Sequence, residues 1–272
     1  MKTISVRSLR LAWFVLIAAV CFCSIPAVAA TTQTDPEENT LEPAAMEALD
    51  TMSRFLRTLP AFEVQSTFYR DEVLLSGQKI LVSGTSSMTV KLPDKLYTQV
   101  KVDEKQRDFA MYFDGQTLTL YGRNNQFYVS TPAPGTLKDL ALKTFVEKGI
   151  EIPLQDLFLW GTDEADQDVI TTAVTIAETT LDDKPCTHYA YRQADVDWQI
   201  WIQAGKQPLP LQLVITTTTE SSQPQYAARL RWNLKPTLSE DLFVFTPPKG
   251  AHAIDFMPSP KHQKENAEGS QN

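Results

Sequence analysis

Residues 186–219, CTHYAYRQADVDWQIWIQAGKQPLPLQLVITTTT, read as three consecutive antiparallel strands. The strands cover 186–191, 198–203 and 209–219, separated by the polar link 192–196 and a turn at Gly205 and Lys206. β-Branched and aromatic residues fill the runs, while Gly, Asp and Pro sit at the joints, as pleated packing and turn geometry require. In the returning strand Leu209, Leu211, Leu213 and Ile215 alternate with Pro210, Gln212, Val214 and Thr216. That gives one apolar face and one mixed face.

Working outward, strands precede this block at 174–180 and follow it at 226–234, where Tyr226, Ala228, Leu230, Trp232 and Leu234 alternate with Arg229, Arg231 and Asn233. Further upstream a helix over 43–57 carries Met46, Leu49, Met52, Phe55 and Leu56 on one stripe,. Pro60 ends it, and the period then changes from helical to two. Strands follow at 61–69, 79–92, 95–102, 108–113, 117–121 and 127–130, the second broken by a bulge or bend around Gly84 to Ser87,. Asp114-Gly115 between alternating runs is a hairpin signal,. A helical insertion interrupts the strands: 136–148, a short helix over 153–158, and a third helix over 162–172,. The whole predicts an α+β, mainly β fold: one strongly curved antiparallel sheet whose concave side is filled, by helices or by a ligand.

The N-terminus is an address. Lys2, Arg7 and Arg10 precede an apolar run over 11–23, and Ala27-Val28-Ala29 supplies the small residues of a cleavage site,. The expected organisation is a signal peptide over 1–29, a flexible leader over 30–42, one domain over 43–257 and a disordered tail over 258–272. An uncleaved anchor is one alternative. Lipidation at Cys21 or Cys23 is another, which the bulky Val20 and Phe22 disfavour. The formal charge is −8 over 272 residues, and cleavage removes only basic groups. Such an acidic chain argues against nucleic acid and against an anionic membrane surface as partners. Of the three cysteines only Cys186 lies beyond the leader, so an intrachain disulfide is not expected,.

The residues Cys186-Thr187-His188-Tyr189-Ala190-Tyr191-Arg192, then Asp197-Trp198-Gln199-Ile200-Trp201-Ile202 and Pro208-Leu209-Pro210, resemble a family of predicted periplasmic proteins, domain of unknown function 2092. The closing Leu242-Phe243-Val244-Phe245-Thr246-Pro247-Pro248-Lys249-Gly250 is similar to the ending of the lipoprotein localisation factors. The resemblance covers essentially the whole domain. It implies an incomplete β-barrel with helices in its mouth and an apolar cavity between them. It also implies a carrier or sensor of lipid or lipoprotein acyl chains in the periplasm, without a cofactor. The carrier of that group holds cargo with a cavity arginine; Arg229 and Arg231, on the polar side of the last strand, do not match it.

Three function classes follow. In the first, apolar side chains wall a ligand cavity: Phe62, Val64, Phe109, Met111, Phe113, Leu118, Leu120, Trp198, Ile200, Leu213 and Trp232, under the two long helices. In the second, the same fold is a scaffold in an envelope complex and binds no small ligand. In the third, Cys186 and His188, two apart on a strand and so on one face, form a reactive pair,. Two ligands do not make a metal site, and His252 and His262 lie far along the chain,. Asp195 and Asp197 flank a loop and are expected to cap it. No Gly-x-Ser-x-Gly, His-Glu-x-x-His or phosphate-cradling loop occurs, so the non-catalytic reading is preferred,.

Overall fold

The computed structural model describes residues 40–104, 107–148, 150, 152–160 and 169–255. The expected signal peptide, the leader up to residue 39, residues 162–168 of the helix expected over 162–172, and the tail therefore lie outside the described residues. The elements are α1 (Pro43–Thr58), β1 (Ala61–Val73), β2 (Lys79–Lys91), β3 (Lys95–Val102), β4 (Arg107–Phe113), β5 (Thr117–Gly122) and β6 (Phe127–Pro132). Next come α2 (Leu137–Lys148), α3 (Asp156–Leu159), β7 (Thr172–Leu181), β8 (Lys184–Arg192), β9 (Val196–Gln203), β10 (Pro210–Thr217) and β11 (Gln225–Asn233). A 3-10 turn, Glu240–Phe243, and the short β12 (His252–Ala253) close the chain. Residue 172, expected at the end of a helix, instead opens β7.

Among the described residues all strands form one sheet in the order β12-β6-β5-β4-β3-β2-β1-β11-β10-β9-β8-β7. The helical insertion separates two meanders, and β1 joins them by pairing with both β2 and β11. The sheet is curved and stays open, with α1 and the α2–α3 segment on its inner face. Its strands alternate buried and exposed residues, as in β1, where Phe62, Val64, Ser66 and Phe68 point inward,.

α1 begins with Pro43 in its first turn, where a missing N–H costs nothing, and buries Ala45, Leu49, Met52 and Leu56 against the sheet,. The hydroxyl of Tyr191 on β8 donates to the Ala45 carbonyl at 2.8 Å, tying the helix to the far meander. Arg57, in its last turn, donates to the Phe158 carbonyl at 3.0 Å and holds the α3 segment beside it.

β2 is continuous through Gly84, with unbroken register against β1 from Lys79 to Lys91, so the expected bulge is absent. The glycine has a different purpose. A Cβ there would lie 2.5 Å from the Phe68 ring and 2.2 Å from the Lys101 carbonyl oxygen. The ring of Phe68 occupies the space that a side chain would take. A real irregularity falls in β10, between Pro210 and Gln212, where Leu211 has no partner in the ladder,.

The C-terminal segment crosses the outer face. Lys91 pairs with Glu240, and Phe243 is fully buried. Phe245 packs among Tyr112, Tyr121 and Tyr128, with ring centroids 5.0–5.3 Å apart. β12 then adds to the β6 edge in parallel. This strap lays a second apolar layer over the outer face of β4 and β5, where Tyr112 and Tyr121 lie under Phe245,.

Candidate functional site

Paired residues in an antiparallel ladder project to the same face, so register fixes which side chains share the inner surface. Val64 lies across from Met88, then Thr98, Met111 and Leu120. In the other direction Val64 faces Trp232, and Phe68 leads through Ala228 to Leu213 and Ile200. The wall residues expected from sequence therefore all fall on the inner face: Phe62 and Val64 on β1, Phe109, Met111 and Phe113 on β4, Leu118 and Leu120 on β5, Trp198 and Ile200 on β9, Leu213 on β10 and Trp232 on β11.

Sharing a face does not make them line one space. Phe62, Val64, Met111, Phe113, Leu118, Trp198, Ile200 and Leu213 are buried in the core, and Leu120 and Trp232 pack against it. Trp198 is sandwiched by Tyr191 at 4.2 Å and Trp160 at 6.3 Å, and Phe62 meets Trp232 at 5.2 Å. Among the described residues Phe109 borders the cavity on this face, and Trp232 borders a smaller depression of about 190 Å³ beside Leu211 and Leu230.

That space is a cavity of about 820 Å³ on the same face, toward the ends of β1, β3, β10 and the start of β11. Phe68, Val100, Val102, Phe109 and Ile215 form its apolar floor, and Ile152, Pro153 and Leu154 overhang it. Its volume is in the range of pockets that enclose a small ligand. Its polar groups come from Arg70, Asp71, Arg107, Asp156 and Tyr226, with Ser86, Gln155, Thr217 and Gln225.

Arg70 donates its Nη2 to Glu72 at 2.9 Å, while among the described residues its buried Nε finds no hydrogen-bond partner, and neither does Gln155 Oε1. Asp156 shows part of its surface to the cavity but lies deep among neighbouring atoms, and burial raises its pKa,. Burial, with the nearby Asp156, pushes the Tyr226 phenol up to about 12. Apolar floor and a few unpaired polar groups are the usual composition of a small-molecule site.

A second depression, of about 310 Å³, lies on the outer face and is lined by Gln65, Thr67, Thr85, Ser87, Gln99, Lys101, Arg229 and Arg231. Its lining side chains are all of polar or charged type, and Arg231 and Arg229 both approach Asp182, at 3.3 and 3.7 Å.

Cys186 and His188 share the outer face, opposite Gln203 and Trp201 on β9. Cys186 is buried, and that burial raises its thiol pKa. His188 stacks flat on Trp201, ring centroids 3.8 Å apart, and its Nε2 meets Gln199 Oε1 at 3.0 Å. Burial lowers its pKa, which favours the neutral ring,. Among the described residues no three His, Cys, Asp or Glu side chains gather as metal ligands. Asp197 takes a two-pronged bond from Arg192, at 2.7 and 2.8 Å, which lowers its pKa.

The part of the site that sequence reasoning passed over is Phe68, Arg70, Val100, Val102, Ile152, Leu154, Ile215 and Tyr226. A signal for several of them existed. Phe68 and Tyr226 were already in the alternating runs, and continuing the β1 and β11 alternation by one step reaches Arg70.

Solved structures similar to this chain include lipoprotein LppX of Mycobacterium tuberculosis, at 11% identity and TM-score 0.45, covering 73% of this chain and 100% of that one. LprF of Mycobacterium bovis is similar at 13% identity and TM-score 0.44, over 73% and 97%. A LolA superfamily protein from Nitrosomonas europaea is similar at 11% identity and TM-score 0.36, over 74% and 97%. No curated protein matches the sequence. Residues 45–257 match a family described as predicted periplasmic protein (DUF2092), and the chain belongs to that family.

Proposed function

We propose that this chain is a non-catalytic binding protein of the periplasm, a carrier or sensor that encloses one apolar chain of a lipid or lipoprotein. The observation that carries the reading is the cavity of about 820 Å³ with an apolar floor, set under a short overhang on the inner face. Burying a methylene contributes about 0.8 kcal/mol, so a partly enclosed acyl chain should bind at micromolar strength or better, about 8 kcal/mol. Membership of a family of predicted periplasmic proteins supports the compartment. The buried thiol of raised pKa and the stacked, hydrogen-bonded imidazole support a structural role for Cys186 and His188,.

Titration with environment-sensitive fatty-acid probes tests the proposal. Saturable binding at micromolar concentration is expected. Absence of saturation up to about millimolar would leave the envelope scaffold as the better reading.

A further inference from the structure

The hairpin between β1 and β2 stands proud of the sheet. The pairing of β1 with β11 ends at Arg70 and Tyr226, and that of β2 with β3 ends at Gly84 and Val102. β1 nevertheless runs on to Val73, and β2 begins at Lys79. At about 3.3 Å per residue, the tip lies about 15 Å beyond the last paired residue of β11. The turn is well defined: Leu74 donates to the Gln78 carbonyl at 2.9 Å, Gly77 donates to the Leu74 carbonyl at 2.8 Å, and Gly77 has φ +81.

What it carries is unusual for an exposed tip. Leu75 is 111% exposed and Leu81 61%, with Val73 and Leu74 also in solvent. Single exposed apolar residues need no explanation, but Val73, Leu74 and Leu75 in a row at a projecting turn do, while Leu81 lies lower on the hairpin, across from Asp71,. The charges at the base cancel: Arg70 pairs with Glu72 at 2.9 Å and Lys79 with Asp71 at 3.0 Å. Arg70 and Asp71 also line the cavity, with Gln225 beside them. The apolar tip therefore marks the end of the molecule at which the cavity lies.

We propose that the 73–75 tip inserts into the surface of a neutral lipid bilayer and so presents the cavity to it. A convex tip without a groove needs no complementary shape, which suits a fluid apolar layer. The ion-paired collar and a chain of net charge −8 suit zwitterionic rather than anionic lipid,. The orienting role rests on the ligand reading above, while the insertion itself does not.

The test uses flotation with phosphatidylcholine–phosphatidylethanolamine vesicles and the protein recovered from the soluble fraction of cells expressing the full chain. Wild type should float, undiminished by 0.5 M salt on the order expected for hydrophobic insertion. The double change Leu74→Ser, Leu75→Ser, at solvent-exposed positions, should lower partitioning by about tenfold or more. A Leu75→Trp reporter should shift its emission to the blue on adding vesicles. Failure of wild type to float, equal flotation of the serine variant, or a dimer that the serine variant dissolves would each overturn the proposal. Ile215→Asp, a change in the cavity floor, should float like wild type, so loss of probe binding there does not bear on insertion.

Discussion

Ile215 is the position at which the cavity can be tested without disturbing the fold. It is only partly buried, because its side chain faces the cavity, and its ladder neighbours are Tyr226 and Trp198. In Ile215→Asp the carboxylate can stay hydrated while the cavity is empty. An entering acyl chain strips that water away, and the carboxylate must then take up a proton. Protonating a group of ordinary pKa about 3.9 costs about 4 kcal/mol at pH 7 and about 1.5 kcal/mol at pH 5. The penalty on affinity should thus reach about a thousandfold at pH 7 and shrink to about tenfold at pH 5. The sign follows from the complex favouring the protonated form, so the variant gains affinity as pH falls. An uncharged fluorescent acyl ester is the right probe, since it does not itself titrate. Ile215→Asn should lose less affinity and show no pH dependence. If Ile215→Asp keeps its sheet by circular dichroism and binds within about threefold of wild type at pH 7, the chain is not bound in this cavity.

Other outcomes follow from the same geometry. Burial raises the Asp156 pKa above its unfolded value, so the carboxylate costs stability at neutral pH and the cost is relieved as pH falls through the folded pKa,. Asp156→Asn should melt higher than wild type at pH 7, with the gap closing toward pH 4 on the order of an unshifted carboxylate. Cys186, buried and with a raised pKa, should react with a maleimide far more slowly than a peptide thiol in the native state and normally after denaturation,. Phe243→Ala removes a fully buried ring under the strap and should cost about 3–5 kcal/mol in denaturant melts,; a loss below about 1 kcal/mol would mean that the strap does not hold the outer face.

Much of the sheet was legible because its signals are local. The runs around Trp198 and Leu213 carry β-branched and aromatic residues between joints of Gly, Asp and Pro, and they became β9 and β10 to within two residues. The placement of α1 followed from its stripe and from Pro60. Gly84 misled, because a glycine in a strand marks either a bend or a close approach, and only the position of Phe68 across the ladder decides which,. The strap was visible as a motif around Phe243 and Phe245, but its purpose was not, since its partners Tyr112, Tyr121 and Tyr128 lie more than a hundred residues earlier. The cavity was legible only as a face. Alternation puts Phe62, Met111 and Ile215 on one surface. Which of them is covered by α1 and which borders open space depends on where the helices come to rest,.

The claim that an acyl chain lies on the inner face is met most directly by photo-cross-linking with a diazirine fatty acid and mapping the labelled peptides by mass spectrometry. The cavity assignment predicts label on the strand segments that carry Phe68, Val100, Phe109, Ile215 and Tyr226, and its loss when unlabelled fatty acid is added in excess. Label confined to the outer-face segments around Thr85 and Arg229, or label that excess fatty acid does not displace, would contradict it.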